Sequence, residues 1–301
     1  MTNEHGHRLP KLGINLVPVR VDALAAAARC AEDLGFESVW LGEHVITPLE
    51  DVTTDYPGRK SNFEPGSPLV DPLVALSHIA AATSIVRLGT AVLCLPLRDP
   101  LLTAREIATL DHLSGGRLEV GAALGWMRPE YQALGRDWAS RASRLEEMLA
   151  ILTGLFTGEP FEFHSAQFDI PPMVFGPRPV QSPRPPVHLG GQGPRALARS
   201  AVLADGWIGG AKSVSDIGSI IDTLRAHRHA ADLAFDDFVV SIIVLHRPSI
   251  DDLHELRAAG VRRVIVTPWG LADGDPPMPG QTDDLSALRS FAEDIGLDRQ
   301  R

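Results

Sequence analysis

Cysteine is scarce in this sequence, and its two copies show no pairing pattern. The 301 residues contain only Cys30 and Cys94, with no Cys-x-x-Cys spacing. A disulfide framework or a cysteine metal site is therefore disfavoured, and both thiols are expected in the core of a protein from a reducing compartment. The 11 histidines show neither HxxxH nor HExxH spacing, so no metal ion is expected.

Long apolar runs and an excess of positive charge are also missing. No run approaches the roughly 20 apolar residues of a membrane helix, and the polar opening MTNEHGHRLPK has no hydrophobic signal core. The formal net charge is −10, which disfavours nonspecific binding to nucleic acid. We therefore expect a cytoplasmic protein with no membrane or nucleic-acid partner.

A strand–helix–strand unit lies between residues 86 and 126. Buried strands are predicted at Leu88–Leu95 and Leu118–Gly125, around a helix that Asp99-Pro100 opens and Ser114-Gly115-Gly116 ends. The strands of such a unit are parallel and its crossover is right-handed. Polar residues follow both strands, and ligands bind at the carboxyl ends of parallel strands. The segment therefore indicates a site as well as a fold.

The same alternation continues along the whole chain. Eight apolar strands, each followed by a helical segment, begin near residues 11, 38, 88, 118, 187, 206, 239 and 261. The strand segments Val239–Leu245 and Val261–Val266 are apolar on both faces, unlike the edge strands of an open sheet. We predict a single α/β domain over residues 1–301, a (β/α)8 barrel. Insertions at residues 45–69 and 156–186, after strands two and four, are expected to cover its mouth.

The second strand, Ser38–His44, ends in a carboxylate and an imidazole. At the mouth of a barrel, His44 can exchange a proton or hydrogen-bond a cofactor ring. Glu43 either orients this histidine or is a buried, paired carboxylate. The alternative for His44 is a histidine that only caps nearby backbone.

Glycines and one basic residue join the fifth strand to the next helix. In the turn Gly190-Gly191-Gln192-Gly193-Pro194-Arg195, backbone amides can face inwards, and the helix N-terminus and Arg195 add positive charge. This composition suits a phosphate group, although a plain tight turn fits nearly as well. The dinucleotide fingerprint GxGxxG is absent.

Polar residues after strands three and four are further candidates. Arg98 and Asp99 would pair with each other or cap the next helix. Trp126 and Glu130 follow the fourth strand, where an aromatic ring and a carboxylate line a pocket or form a subunit contact. Neither a GxSxG elbow nor a Ser-His-Asp arrangement is visible.

The ordered series of motifs resembles the bacterial-luciferase-like flavin and deazaflavin oxidoreductases, especially the branch that uses coenzyme F420. The resemblance covers nearly the whole chain. It is carried, in chain order, by AEDLGFESVW (31–40) with Glu43-His44, Asp71-Pro72-Leu73, RLGTAV (87–92), ATLD (108–111), LSGGR (113–117), Gly125-Trp126, Pro179-Val180-Gln181, Gly190-Gly191 and Asp205-Gly206-Trp207.

This resemblance implies a luciferase-like barrel whose mouth holds a flavin or deazaflavin ring. A non-prolyl cis peptide bond between Ala91 and Val92 is implied beside the ring. His44 corresponds to the histidine near the reactive ring centre in several F420-dependent members, and the turn at 190–195 corresponds to the cofactor-phosphate loop. Members commonly form homodimers through the early helices, here Pro72–Thr83 and Leu101–Leu113. A sugar-phosphate branch has a glutamate where this chain has Trp126, so the substrate is not implied.

The sequence thus predicts an F420-dependent oxidoreductase that moves a hydride between deazaflavin C5 and a small organic substrate. His44 is the expected proton partner and Glu130 a second acid–base candidate. An FMNH2- and dioxygen-dependent monooxygenase on the same barrel is the alternative, and a barrel that binds a flavin without turnover is a third possibility. A basic groove for the anionic F420 tail would use Arg128, Arg195, Arg199 and Lys212. The cofactor-binding candidates are Glu43, His44, Ala91, Val92, Gly125, Trp126, Gly190, Gly191, Gln192, Gly193 and Arg195.

Overall fold

Parallel strands form a closed ring in this protein, a computed structural model that describes residues 9–49, 65–210, 213–270 and 279–297. The first and last strands of the ring pair with each other, and so do the third and fourth, so that no edge is left open. The ring strands are β1 (Lys11–Asn15), β2 (Ser38–Leu41), β3 (Arg87–Thr90) with β4 (Leu93–Cys94), β5 (Leu118–Ala123), β8 (Val187–Gly190), β9 (Gly206–Gly209), β10 (Val239–Val244) and β11 (Arg263–Val266); β6 (Phe161–His164) and β7 (Asp169–Met173) form a separate antiparallel hairpin.

Helices follow the strands of the ring and surround it. They are α1 (Leu24–Asp33), α2 (Pro72–Ala82), α3 (Pro100–Ser114), α4 (Arg128–Ala133), α5 (Arg141–Phe156), α6 (Pro194–Leu203), α7 (Val214–Ala230), α8 (Ile250–Ala258) and α9 (Ser286–Asp294). The predicted eight-stranded barrel is confirmed. Within the described ranges, every helix is too short or too polar to cross a membrane.

The third strand of the barrel differs from the continuous strand predicted at 88–95. It is divided into β3 and β4, and the Ala91–Val92 peptide bond between the two halves is cis. The cis bond implied by the family resemblance is therefore confirmed at the residues named for it. Ala91 and Val92 are only half-buried, although they adjoin a buried strand on either side.

Short-range capping explains where several of the helices begin. The Asp71 carboxylate accepts the N–H groups of Leu73 and Val74 at the start of α2, and Asp99 caps α3 in the same way. Each has proline at the first helical position, which needs no N–H partner there. Ser249 opens α8 with a capping box, in which the Ser249 side chain and the Asp252 side chain each accept a backbone N–H from the other residue.

The barrel interior is filled by one indole and small neighbours. Trp40 is fully buried and packs with Ile208 and Ile265 in a cluster separate from the layer between strands and helices. A Cβ atom on Gly89 would lie 2.1 Å from the Trp40 ring, so only glycine leaves room for it. The middle of the barrel is therefore a packed core.

Charged residues close the amino-terminal end of the barrel below Trp40. Glu119 accepts two hydrogen bonds from Arg263, at 2.8 and 2.9 Å, and its Oε2 lies 2.7 Å from His188 Nε2. Arg263 also binds Glu37 through two bonds of 2.9 and 3.0 Å. Although burial favours the neutral acid, the hydrogen bond from His188 and the charge of Arg263 hold the pKa of Glu119 well below its ordinary value. These charged residues thus form a buried ionic plug at the amino-terminal end of the barrel.

The two predicted insertions have different outcomes. Most of the first, at residues 50–64, lies outside the described residues. In the second, the β6–β7 hairpin packs along α5, where Gln167 donates to Ser143 and Glu147. Farther on, Gln181 binds Asp111 and the carbonyl of Leu118, the first residue of β5. Gln181 thus lies at the amino-terminal end of the barrel, so the expectation that the second insertion covers the mouth is wrong for this part of it, whereas the hairpin contacts the first turns of α5.

Candidate active site

The carboxyl-terminal end of the barrel carries the predicted site residues just beyond the strands rather than on them. β2 ends at Leu41, so that His44, placed at the end of the strand by the sequence pattern, lies three residues farther along the chain. β5 ends at Ala123, and Gly125 and Trp126 follow it in the same manner. Both loops leave neighbouring parts of the mouth, which allows their side chains to meet.

His44 and Glu130 form the central pair of this site. Nδ1 of His44 lies 3.3 Å from Oε1 and 3.4 Å from Oε2 of Glu130. The N–H of Val45 donates to Oε1 at 2.6 Å. Glu130 has no exposed side-chain surface, whereas 12% of the His44 side chain is exposed. The pair thus joins a solvent-accessible ring to a fully buried carboxylate.

Trp126 fixes the second side of the imidazole. Its ring centre lies 5.2 Å from that of His44, with the two planes at 73°, an edge-to-face arrangement favoured by aromatic rings. Trp126 is half-buried. The predicted residues His44, Trp126 and Glu130 are therefore brought together, although 86 residues separate the histidine from the glutamate.

The loop that carries Glu130 is anchored to the barrel. The Tyr131 hydroxyl donates to the carbonyl of Leu124, and its ring meets Trp138 edge-on at 5.0 Å. Burial, the largest influence, raises the pKa of the Tyr131 phenol, which keeps this group a hydrogen-bond donor. Sequence reasoning missed Tyr131 as a supporting residue, since a tyrosine on a short helix carries no distinctive pattern.

Glu43 faces a different set of partners from those of His44. Its Oε2 accepts the N–H of Cys94 at 2.7 Å, and its Oε1 accepts Nε of Arg98 at 2.7 Å. Arg98 also binds Asp71 and Glu106, so the predicted pairing of Arg98 with Asp99 is wrong, while capping by Asp99 is confirmed. Burial opposes the charge of Arg98, but the carboxylate of Glu43 raises the pKa of the guanidinium above its ordinary value. Glu43 thus holds the segment after the cis bond.

The turn after β8 presents open backbone donors. Gly191 adopts a φ of 118°, which is the left-handed region that favours glycine, and its carbonyl accepts Nε1 of Trp207 at 2.8 Å. Among the residues that the structure describes, the amides of Gln192, Gly193 and Arg195 have no hydrogen-bond acceptor. These amides precede or begin α6, where the helix dipole favours an anion.

Basic residues near this end of the barrel are unequally engaged. Arg195 and Arg128 are exposed, and neither forms a salt bridge with any residue in the described ranges. Arg199 binds Glu146 at 2.7 Å. Lys212 lies outside the described residues. Two of the four predicted groove residues thus remain available to an anionic ligand.

The residues at the mouth of the barrel fit a cofactor that carries a phosphate group. Cys94 lies beneath Gly125, on which a Cβ atom would be 3.1 Å from its sulfur, and burial raises the pKa of that thiol, so a reactive thiolate is disfavoured at the mouth. The open amides of the 190–195 turn and the Arg195 side chain fit a phosphate group. No cluster of three metal-binding side chains occurs within the described parts of the chain. The donor set fits an organic cofactor with an anionic tail.

Comparison with known proteins places the chain in a family. The family model described as luciferase-like monooxygenase matches residues 5–294. The chain belongs to this family. An uncharacterized protein of Mycobacterium tuberculosis is 31% identical to this luciferase-like protein over 273 residues, covering 89% of this chain and 92% of the relative.

Two further matches carry named activities. The FMNH2-dependent dimethylsulfone monooxygenase of Pseudomonas putida is 31% identical over 176 residues, covering 56% of this chain and 48% of that protein. The coenzyme F420-dependent tetrahydromethanopterin reductase of Methanopyrus kandleri has the same fold, with a TM-score of 0.73, 19% identity, and coverage of 96% of this chain and 99% of that one. The luciferase-like fold is thus confirmed, and its proteins include users of both cofactors.

Proposed function

We propose that this luciferase-like protein is an F420-dependent oxidoreductase that transfers a hydride between deazaflavin C5 and a small organic substrate. The observation that carries the proposal is the turn at 190–195, whose open amides and exposed Arg195 suit an anionic group. Exposed Arg128, at the start of α4, adds positive charge at the same end of the barrel. A cofactor with a long anionic tail gains more from this surplus of donors than one with a single phosphate.

The remaining candidates divide between the ring and its tail. Ala91, Val92, Gly125 and Trp126 would border the ring at the mouth, and Gly190, Gly191, Gln192, Gly193 and Arg195 would hold the phosphate. Glu43, which binds Cys94 and Arg98, would act on the cofactor indirectly by fixing the backbone after Val92. The deazaflavin, when bound, supplies or accepts the hydride.

The chain's own chemistry is that of the His44–Glu130 pair. His44 would exchange a proton with the substrate, and Glu130 would compensate the charge that the ring gains. Trp126 would help exclude water from the ring face it covers. General acid–base catalysis of this kind contributes about 10²- to 10⁴-fold. We therefore expect His44→Ala to bind F420 with unchanged affinity while turnover of any substrate falls by about that factor.

A second function has one specific observation in its favour. The Pseudomonas putida relative, named as an FMNH2-dependent monooxygenase, is similar over 56% of this chain. On this reading the 190–195 turn would hold the FMN phosphate, and reduced flavin and dioxygen would replace F420. A barrel that binds either cofactor without turnover is the third reading, and retained binding with no detectable reaction would support it.

A binding titration separates these functions. Purified protein is titrated with F420, FMN and FMNH2 while ligand fluorescence or anaerobic calorimetry reports the affinity. We expect F420 to bind at least about tenfold more tightly than either flavin, and Arg195→Met to weaken F420 binding. The matched control, Arg225→Met, changes an exposed arginine on α7 that pairs with Asp222. Tighter binding of FMNH2, with oxygen uptake when substrate is added, would reverse the order of the two enzymes.

We further propose that the protein is a homodimer formed through α2 and α3. The two helices pack side by side, and each exposes a large apolar side chain in its first turn, Val74 at 71% and Leu102 at 64%. A helix with apolar residues on all sides is usually covered. Light scattering should report a dimer for the wild type and a monomer for Val74→Glu/Leu102→Glu.

We also propose that the protein is cytoplasmic. The buried, unpaired cysteines Cys30 and Cys94 support this compartment.

A further inference from the structure

The two oxygens of the Glu130 carboxylate have well-defined donors. The N–H of Val45 donates to Oε1 at 2.6 Å, and this backbone donor cannot reverse its role. His44 Nδ1 lies within 3.4 Å of both oxygens. A carboxylate offers acceptors only, so a neutral His44 satisfies it only when the proton is on Nδ1.

The neighbouring groups restrict the orientation of this contact. Trp126 meets the imidazole edge-to-face at 5.2 Å, which limits rotation of the ring. Glu130 N donates to the carbonyl of Met127 at 3.1 Å, and Tyr131 ties the same helix to Leu124. Glu130 is therefore held in place from its own backbone, and its side chain has no exposed surface.

We infer that Glu130 is a positioning residue that fixes the neutral His44 ring as the tautomer protonated at Nδ1. Nε2 is then the nitrogen that can accept a proton from a bound substrate, and the imidazolium formed in this way remains paired with Glu130. Full burial keeps Glu130 from reaching substrate itself, so its acid–base role is exercised through His44. The catalytic meaning rests on the proposed function, whereas the tautomer is a property of the free protein.

Glu130→Gln provides a directional test. A glutamine that keeps the Val45 hydrogen bond through its oxygen turns its NH2 group towards His44, because the amide has one acceptor and one donor end. The NH2 group then donates to Nδ1, and the ring proton must move to Nε2. The variant is therefore expected to reverse the tautomer while preserving the shape of the side chain.

Long-range ¹⁵N–¹H correlation spectra of histidine-labelled protein report which ring nitrogen carries the proton. His44→Gln identifies the His44 signals by their disappearance. At a pH where the ring is neutral, we expect protonated Nδ1 in the wild type and protonated Nε2 in Glu130→Gln. A wild-type ring protonated at Nε2 overturns the inference, and so does an unchanged tautomer in a folded variant. If Glu130→Gln does not fold, the wild-type spectrum by itself tests the inferred tautomer of His44.

A matched carboxylate serves as the control. Glu147 lies on α5, where it binds Ser165 and Gln167, and Glu147→Gln should leave the His44 signals in place. Titration of the same samples with F420 tests the proposed function separately from the tautomer. If the tautomer is confirmed but F420 does not bind, only the proposed cofactor is rejected. If a substrate is found, Glu130→Gln should lower kcat by about 10²-fold or more with little change in cofactor affinity.

Discussion

Arg98 shows how much a single residue contributes near the mouth. Its side chain is 13% exposed and contacts three carboxylates, of which Glu43 is nearly fully buried. Removing the guanidinium leaves Glu43, among the residues that the structure describes, with the Cys94 amide as its remaining hydrogen-bond donor. An uncompensated buried charge costs about 3–5 kcal/mol. The Arg98–Glu43 pair therefore has a large effect on the stability of the segment beyond Val92.

Arg98→Met should therefore lower the free energy of unfolding by about 3–5 kcal/mol in urea titrations. The control is Arg225→Met, which breaks an exposed pair with Asp222 and should cost less than about 1 kcal/mol. Equal losses for both variants would show that Glu43 is solvated in solution. Arg98 also holds Glu43, which accepts the amide of Cys94 three residues after Ala91. On the proposed function, weaker F420 binding is therefore expected to accompany the loss of stability.

Single residues near the site were partly predictable. His44, Trp126 and Glu130 stand at the ends of apolar strands, where the sequence pattern marks them as candidates. Their mutual distances were not predictable, because 86 residues separate His44 from Glu130 and only barrel closure brings them together. For the same reason the sequence suggested Asp99 as the partner of Arg98, whereas the observed partner Glu43 lies 55 residues away.

At the scale of elements, the spacing between β3 and β5 depends on a missing side chain. A Cβ atom on Gly121 would lie 2.0 Å from the carbonyl oxygen of Thr90, far inside contact distance. Thr90 Oγ1 in turn donates to the carbonyl of Gly121 at 2.8 Å. The two strands are thus held at a separation that only glycine permits.

Gly121→Ala should destabilise the protein by about 2–3 kcal/mol, since backbone must move to accept the methyl group. Gly218→Ala is the matched control, because no atom lies within 4 Å of the added Cβ on α7. Alanine is the better helix former, so this variant should gain about 0.5–1 kcal/mol. Thermal unfolding measures both; a stabilised Gly121→Ala would mean that the strands are farther apart than described.

Element boundaries were predictable where the controlling contacts are local. Asp71 and Asp99 bond to amides two and three residues ahead, and the sequence placed both helix starts correctly. Ser140 precedes α5 and is a residue type that often caps helices, but its side chain makes no cap hydrogen bond. The Asp137 carboxylate instead accepts the Ser140 N–H at 2.9 Å. The cis bond at Ala91–Val92 came only from the family resemblance, and the division of the third strand was not predicted, since the local pattern favoured a continuous strand.

For the whole molecule, the ionic plug at the amino-terminal end couples stability to pH. In the folded state, the His188 hydrogen bond and Arg263 charge outweigh the effect of burial and hold the pKa of Glu119 well below its ordinary value. An unfolded glutamate titrates near pH 4.3. The stabilisation is therefore present above that value and is lost as the pH falls towards the depressed folded pKa.

Glu119→Gln should be less stable than the wild type at pH 7, because Arg263 and His188 lose their anionic partner. The difference should narrow progressively below about pH 5, since the wild type alone binds a proton at this position on unfolding. Urea titrations at several values between pH 3.5 and pH 7 give the comparison. A difference that stays constant over this range would contradict the depressed pKa.

The pairing of β1 with β11 gives synthesis of this protein a definite order. Lys11 lies opposite Arg263, so β1 waits during synthesis for a partner that is made some 250 residues later. Residues up to Val266 must be synthesised before the barrel can close. Until then, two strand edges remain without a pairing partner. A nascent chain stalled before that codon would expose these unpaired strand edges to chaperones or to other copies of the same chain.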